Sequence, residues 1–307
     1  MTAEPPAGAS HKLSVDDLKG LDLDTEEGAA LLELLANEVT IDEAIELQGN
    51  SGWSVPAVPS VGKPKTISQD GPAEVAGLSG ATWFASAAVV AATWNREIAY
   101  AEGVAYGHQD ILVGTSEAYA PAMNTHRTPF GGRNFEYYSE DGLLAGHQGG
   151  SEVAGIRSTG TGVFIKHFAL NEGDTNRQGV STWVNEQALR EIYLLPFEIS
   201  CKDYDADGIM GSMNRIGLTW MHYGMYNTII RDQWGWNGYL ITDGEGATGD
   251  AYNSCVAMMS VGGSMLTTMS YINAAATVAA YGDSAQTLYG RVMLHNIAAY
   301  ALYQYIQ

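Results

Sequence analysis

From residue 60 onward the chain keeps one rhythm: short β-rich runs that end in a polar side chain, with helical stretches between them. KTISQD ends at Asp70, AYAPAMN at Asn124, GVFIKH at Lys166 and His167, GIMGSMN at Asn214 and YLITD at Asp243; SMLTTM around Leu266 is a fainter sixth run. Helix-like segments fall near 84–106, 142–157, 185–200, 222–234 and 285–305. Strands that alternate with helices favour a parallel sheet joined by helical crossovers. A (β/α)8 barrel and a doubly wound open sheet both place strand C-termini at the functional face, so the rhythm alone fits either. No GxGxxG or Walker-type loop follows any run, which turns the choice away from nucleotide-binding sheets. The expected fold is α/β, a TIM-like barrel in a single domain over residues 31–307.

The 307 residues carry 15 basic and 35 acidic side chains, a formal net charge of −20. Such a surface repels nucleic acid phosphate and anionic membranes. No run of about 18 apolar residues is present to span a bilayer. Residues 1–50 hold 12 acids and 2 bases, half of the net charge, with a helical pattern from Glu27 to Leu47 whose acids line its solvent side. Residues 1–30, opening on an Ala/Pro/Gly-rich dozen, read as an acidic flexible leader. The N-terminus shows no basic segment followed by an apolar one, so a cytoplasmic location is expected. Cys201 and Cys255 are too few for a disulfide framework and read as buried thiols. No His/Asp cluster has metal-ligand spacing, and no metal or other cofactor is expected.

Chemistry concentrates in four places: Asp70 in SQDGP, residues 124–141 (NTHRTPFGGRNFEYYSED), residues 166–177 (KHFALNEGDTNR) and ITDGEG at 241–246. These motifs, with NEQALREIYLLPFE at 185–198, NRIG at 214–217 and IIRDQWGWNGYLITD at 229–243, occur in the order found in glycoside hydrolase family 3, whose barrel domain the chain resembles over residues 40–305. The wording is most similar to members whose barrel is the C-terminal of two main domains, so the resemblance implies the barrel alone.

The resemblance implies a retaining, exo-acting β-glucosidase-like hydrolase of terminal β-D-glycosyl residues, with small β-glycosides or oligosaccharides as partners. Retention requires a carboxylate nucleophile and a second carboxyl group as acid/base. The resemblance assigns the nucleophile to Asp243, at the end of an apolar strand; on its own that residue also suits a helix cap. It assigns sugar binding to Asp70, Arg133, Lys166 and His167, with Arg177 beside them. Each also has a plainer reading: a turn for Asp70, an internal salt bridge for Arg133, structural pairing for the others. Glu136 and Glu140 read as supports under the loop, His126 and Arg127 as loop packing, and Trp234 and Trp236 as packing beneath the Asp243 strand.

The sequence departs from the family pattern twice. Met213 stands where the family usually carries an aromatic beside the nucleophile. The family's usual acid/base glutamate comes from a separate domain, which this chain does not display. Glu245 and Glu172 are the candidates within the chain, and the acid/base stays unassigned. The alternative reading is an incomplete or non-catalytic carbohydrate-binding barrel that needs a separate domain.

Overall fold

The acidic N-terminal stretch is cut into short helices by its own capping residues. The computed structural model describes residues 12–76, 78–220, 222–244, 255–264, 278–279 and 287–307. Ser14 and Asp17 form a capping box that starts α1 (Val15–Leu18), and Thr25 accepts from the Gly28 amide to start α2 (Glu26–Asn37). Thr40 and Glu43 form a second capping box, with Thr40 N donating to Glu43 Oε2 at 2.9 Å, and open α3 (Ile41–Asn50). The continuous helical pattern expected from Glu27 to Leu47 is therefore two helices, because the Thr40 box satisfies a fresh set of N-terminal amides. Residue 30, expected to close a flexible leader, lies inside α2, and Val15, Leu18 and Leu23 are buried. The first eleven residues of that leader lie outside the described residues.

The chain, expected as one domain from residue 31, separates into two compact units. The first joins Met1–Thr66 to Asn237–Gln307, and the second is Ile67–Trp236. After the two-residue β1 (Ser54–Val55), the second unit opens with β2 (Thr66–Asp70). A helical crossover made of α4 (Ala87–Ala92) and α5 (Arg96–Val113) leads to β3 (Glu117–Tyr119). Next, α6 (Gly142–Arg157) leads to β4 (Gly162–Val163). β3 pairs in parallel with both β2 and β4, with Asp70 opposite Tyr119 and Glu117 opposite Gly162. Parallel neighbours of this kind demand helical crossovers, as the alternating pattern predicts.

β5 (Ile165–Phe168) is followed by the short β6 (Ser181–Thr182), α7 (Glu186–Ala188), a π-helical turn at Leu189–Tyr193 and α8 (Leu195–Asp203). β7 (Gly208–Gly211) then pairs in parallel with β5, and β8 (Arg215–Ile216) pairs with β6. A second π-helical segment runs over Gly224–Gln233. Cys201 is buried in α8, and desolvation raises its thiol pKa.

The seam between α5 and α6 is glycine-lined. A Cβ on Gly103 would lie 2.3 Å from the Glu152 carbonyl oxygen, and one on Gly155 would lie 2.2 Å from that of Tyr100. The helices therefore approach backbone to backbone, and they enclose Glu152 and Asp110. Tyr138 donates its hydroxyl to Glu152. Neither carboxyl of Asp110 nor that of Glu152 forms an ion pair among the described residues, and both Asp110 oxygens lack a hydrogen-bond partner there. Burial pushes Glu152 up to about 8 and Asp110 up to about 7.

The first unit is completed by β9 (Tyr239–Ile241), α9 (Cys255–Ser260), β10 (Gly263–Ser264) and α10 (Thr287–Ile306). β9 and β10 run parallel, with Ser264 opposite Ile241. The α10 side chains Leu294, Ile297, Ala301 and Leu302 are buried, and the helix packs on α2 and α3. Tyr239 meets Ser51 at 2.9 Å and also meets Ser264. Leu266, the centre of the fainter sixth run, lies outside the described residues, as does Glu245. No helix among the described residues is long and apolar enough to cross a membrane.

Candidate functional site

Polar groups collect where the strands of the second unit end. β2 terminates in Asp70 and β5 carries Lys166 and His167, so parallel strands deliver charged side chains to one end of the sheet. Lys166 is 2% exposed, and its Nζ donates to Asp70 Oδ1 at 2.5 Å and to the Gly71 carbonyl at 3.1 Å. A buried ammonium persists only when paired, and Asp70 supplies the pair while keeping its own carboxylate 45% exposed. An ammonium has three donors, so this arrangement leaves a donor and an acceptor side by side, a combination that matches a hydroxyl group.

His167 is held from both sides. Its backbone N donates to Asn124 Oδ1 at 2.8 Å, and Asn124 Nδ2 donates back to the His167 carbonyl at 3.0 Å. Its ring meets Tyr137 edge to face, with centroids 6.4 Å apart. Burial, then the positive charges of Arg133, Lys166 and Arg177, hold its pKa well below the usual imidazole value. His167 is therefore neutral, and the same field shows that these four cationic or imidazole residues share one neighbourhood. Arg133 is oriented by an ion pair from its Nε to Glu136, the support expected from the sequence. Arg177 pairs with Asp174 at 3.2 Å on the loop after β5. Met213 is buried; its carbonyl accepts from Trp220 Nε1 at 3.0 Å, and Gln178 Nε2 lies 4.0 Å from its sulfur.

That loop and the 127–132 segment enclose a cavity of about 430 Å3 lined by Arg127, Phe130, Gly132, Leu170, Asp174 and Thr182, among others. Glu172 forms part of its wall but is 4% exposed, and its Oε1 accepts from Thr125 N at 3.4 Å and Asn124 Nδ2 at 3.5 Å. Desolvation pushes Glu172 up to about 7. Its carboxyl group braces the Asn124 clamp on His167 rather than facing outward. His126 Nε2 binds the carbonyls of Asn134 and Tyr137, which agrees with loop packing. Trp236 donates to the Ala206 carbonyl and stacks against Arg231, while the Trp234 ring meets Phe168 at 6.0 Å.

In the other unit, Asp243 follows β9 by two residues, and its Oδ1 accepts from Gly244 N at 2.6 Å. Among the described residues no group of three His, Cys, Asp or Glu side chains is arranged to hold a metal ion. Sequence reasoning missed Tyr137 and Asn171, which join His167 in one hydrogen-bonded group. No local signal marks them, since their partners lie about 30 residues away along the chain.

Comparison with known proteins adds a family match, two curated relatives and two solved structures. Residues 62–266 match the profile of the glycosyl hydrolase family 3 N terminal domain. Beta-glucosidase B of Emericella nidulans is 35% identical over 240 residues, which cover 73% of this chain and 28% of that protein. A beta-glucosidase of Rhizobium radiobacter is 34% identical over 236 residues, covering 73% and 29%. Among solved structures, beta-glucosidase 3B from Thermotoga neapolitana in complex with alpha-D-glucose superposes with a TM-score of 0.78 at 29% identity, covering 87% of this chain and 42% of that one. A beta-glucosidase from Bifidobacterium adolescentis gives 0.76 at 32%, covering 88% and 40%. The fold class is α/β, a TIM-like (β/α)8 barrel. The chain spans less than a third of the length of the curated relatives it matches.

Proposed function

The chain belongs to glycosyl hydrolase family 3, and we propose that it is the barrel portion of a retaining β-glucosidase-like enzyme acting on terminal β-D-glycosyl residues. The observation that carries this reading is the Asp70–Lys166 pair, which offers an anionic acceptor and a cationic donor within one hydrogen bond of each other. Asp70, Arg133, Lys166 and His167 hold the terminal sugar, with Arg177 and Met213 at its margin. Small β-glycosides or oligosaccharides are the substrates.

In the first step the Asp243 carboxylate forms a bond to the anomeric carbon while the glycosidic C–O bond breaks, and a proton passes to the departing oxygen. Water then attacks the same carbon and releases Asp243, with net retention. The family's usual proton donor comes from a separate domain, and within this chain the acid/base stays unassigned. Of the two candidates within the chain, Glu172 is turned inward to Asn124 and Thr125, and Glu245 lies outside the described residues.

The test is a trapping experiment. The protein is incubated with an activated 2-deoxy-2-fluoro-β-glucoside, whose good leaving group needs no acid, and its intact mass is measured. A glycosyl adduct is expected on the wild type and not on Asp243→Asn. Glucose binding by the folded wild type without an adduct would instead identify the non-catalytic, carbohydrate-binding alternative.

A further inference from the structure

Tyr137 is buried at the centre of a three-way contact. Its hydroxyl lies 3.2 Å from the Asn171 carbonyl, 3.2 Å from Asn171 Nδ2 and 3.4 Å from His167 Nδ1. A phenol has one proton to give and two lone pairs to receive. The carbonyl can only accept, so the phenolic proton goes to Asn171 O. The amide Nδ2 can only donate, so it occupies one lone pair. The second lone pair faces His167 Nδ1, and it is satisfied only if that nitrogen carries a proton. Giving the phenolic proton to Nδ1 instead would leave the carbonyl without it and a lone pair without a donor, which is costly in a buried cluster.

We propose that Tyr137 is a positioning residue that fixes His167 as the Nδ1–H tautomer, so that Nε2 acts only as a hydrogen-bond acceptor toward a sugar hydroxyl. The sugar part rests on the function proposed above; the tautomer does not. Two further observations bear on it. His167 is neutral in its surroundings, so only one nitrogen holds a proton. Burial raises the Tyr137 pKa above the ordinary phenol value, so the hydroxyl keeps the proton it gives to Asn171. Asn124 fixes the His167 backbone independently through two hydrogen bonds, so Tyr137 acts on the ring and not on the chain path. Within the sugar site, Lys166 then donates and His167 accepts, and a ligand must present hydroxyls in the matching sense.

The tautomer is read by two-bond proton–nitrogen NMR correlation on protein labelled with 15N-histidine, the His167 signals being assigned by their loss in His167→Gln. Wild type is expected to carry the proton on Nδ1 from pH 5 to 8. Tyr137→Phe removes the acceptor and is expected to move the proton partly or wholly to Nε2. Glucose affinity by calorimetric titration is expected to fall about tenfold, the loss of one oriented hydrogen bond. A wild-type His167 protonated on Nε2 overturns the proposal, and this measurement does not depend on the variant folding. An unchanged tautomer in Tyr137→Phe with a wild-type melting curve overturns it equally. A tautomer that switches in a protein to which glucose does not bind leaves Tyr137 as the positioning residue and overturns the sugar reading alone.

Discussion

At the strand ends Lys166 and Asp70 set opposite charges side by side, whereas the seam between α5 and α6 buries Glu152 and Asp110 with no cation paired to either among the described residues. Both clusters lie in the Ile67–Trp236 unit, yet they solve the cost of buried charge differently. The strand-end cluster keeps its charges and cancels them, which leaves ionised groups available for recognition. The helix seam removes its charges by protonation, since desolvation lifts both acids to or above neutrality. Charge is retained at the strand ends, where the Asp70 carboxylate is half exposed, and extinguished in the closed helix seam.

The strongest challenge to this contrast is Asp70→Asn. It leaves a buried ammonium without its carboxylate and is expected to cost about 3 kcal/mol, a melting temperature lower by roughly 6–12 °C in calorimetry. A shift under about 2 °C would mean that Lys166 does not depend on its partner. Next is Gly103→Ala, whose methyl would collide with the Glu152 carbonyl. Helix propensity alone favours the alanine by about 1 kcal/mol. Overpacking is nevertheless expected to win, with a net loss of about 1–2 kcal/mol in urea unfolding. A stabilised variant would show that the seam is looser than described.

Glu152→Gln has the smallest effect at pH 6, below about 0.5 kcal/mol, because the native side chain is already neutral there. Its value lies in the pH dependence. The folded pKa of about 8 sits above the ordinary 4.5, so between those values the folded state holds a proton that the unfolded state has lost. The stabilising contribution is complete below pH 4.5 and is lost as pH rises through 8. Thermal melts from pH 5 to 9 are expected to show a falling wild-type stability and a flatter profile in Glu152→Gln. Parallel profiles would transfer the slope to Asp110 or Glu172.

The same contrast explains what was legible in the sequence. Asp70 and Lys166–His167 were readable because a strand is a local pattern and its last residue can be named without knowing its neighbours. The helix at Gly142–Arg157 was readable for the same reason, with Asp141 as its cap. The TIDE box at Thr40 was also in plain view, but an unbroken acidic periodicity concealed the break between α2 and α3. By contrast, Glu152 and Asp110 carry nothing in their local sequence to say that they are buried and neutral. The Tyr137–Asn171–His167 group likewise exists only after folding brings the residues together. The π-helical segments at 189–193 and 224–233 follow from how those turns pack, which helical periodicity does not encode.

The first unit is assembled from two segments far apart in the sequence, and Tyr303 donates to Asp24 across 279 residues. During synthesis, the helices formed by residues 15–50 are made well before α10 and must wait for it before their apolar faces are covered. Ile67–Trp236, being continuous, can consolidate while that wait lasts. Residues 15–50 and α10 thus form one cooperative element in folding, and removal of either exposes the apolar surface that it covers on the other.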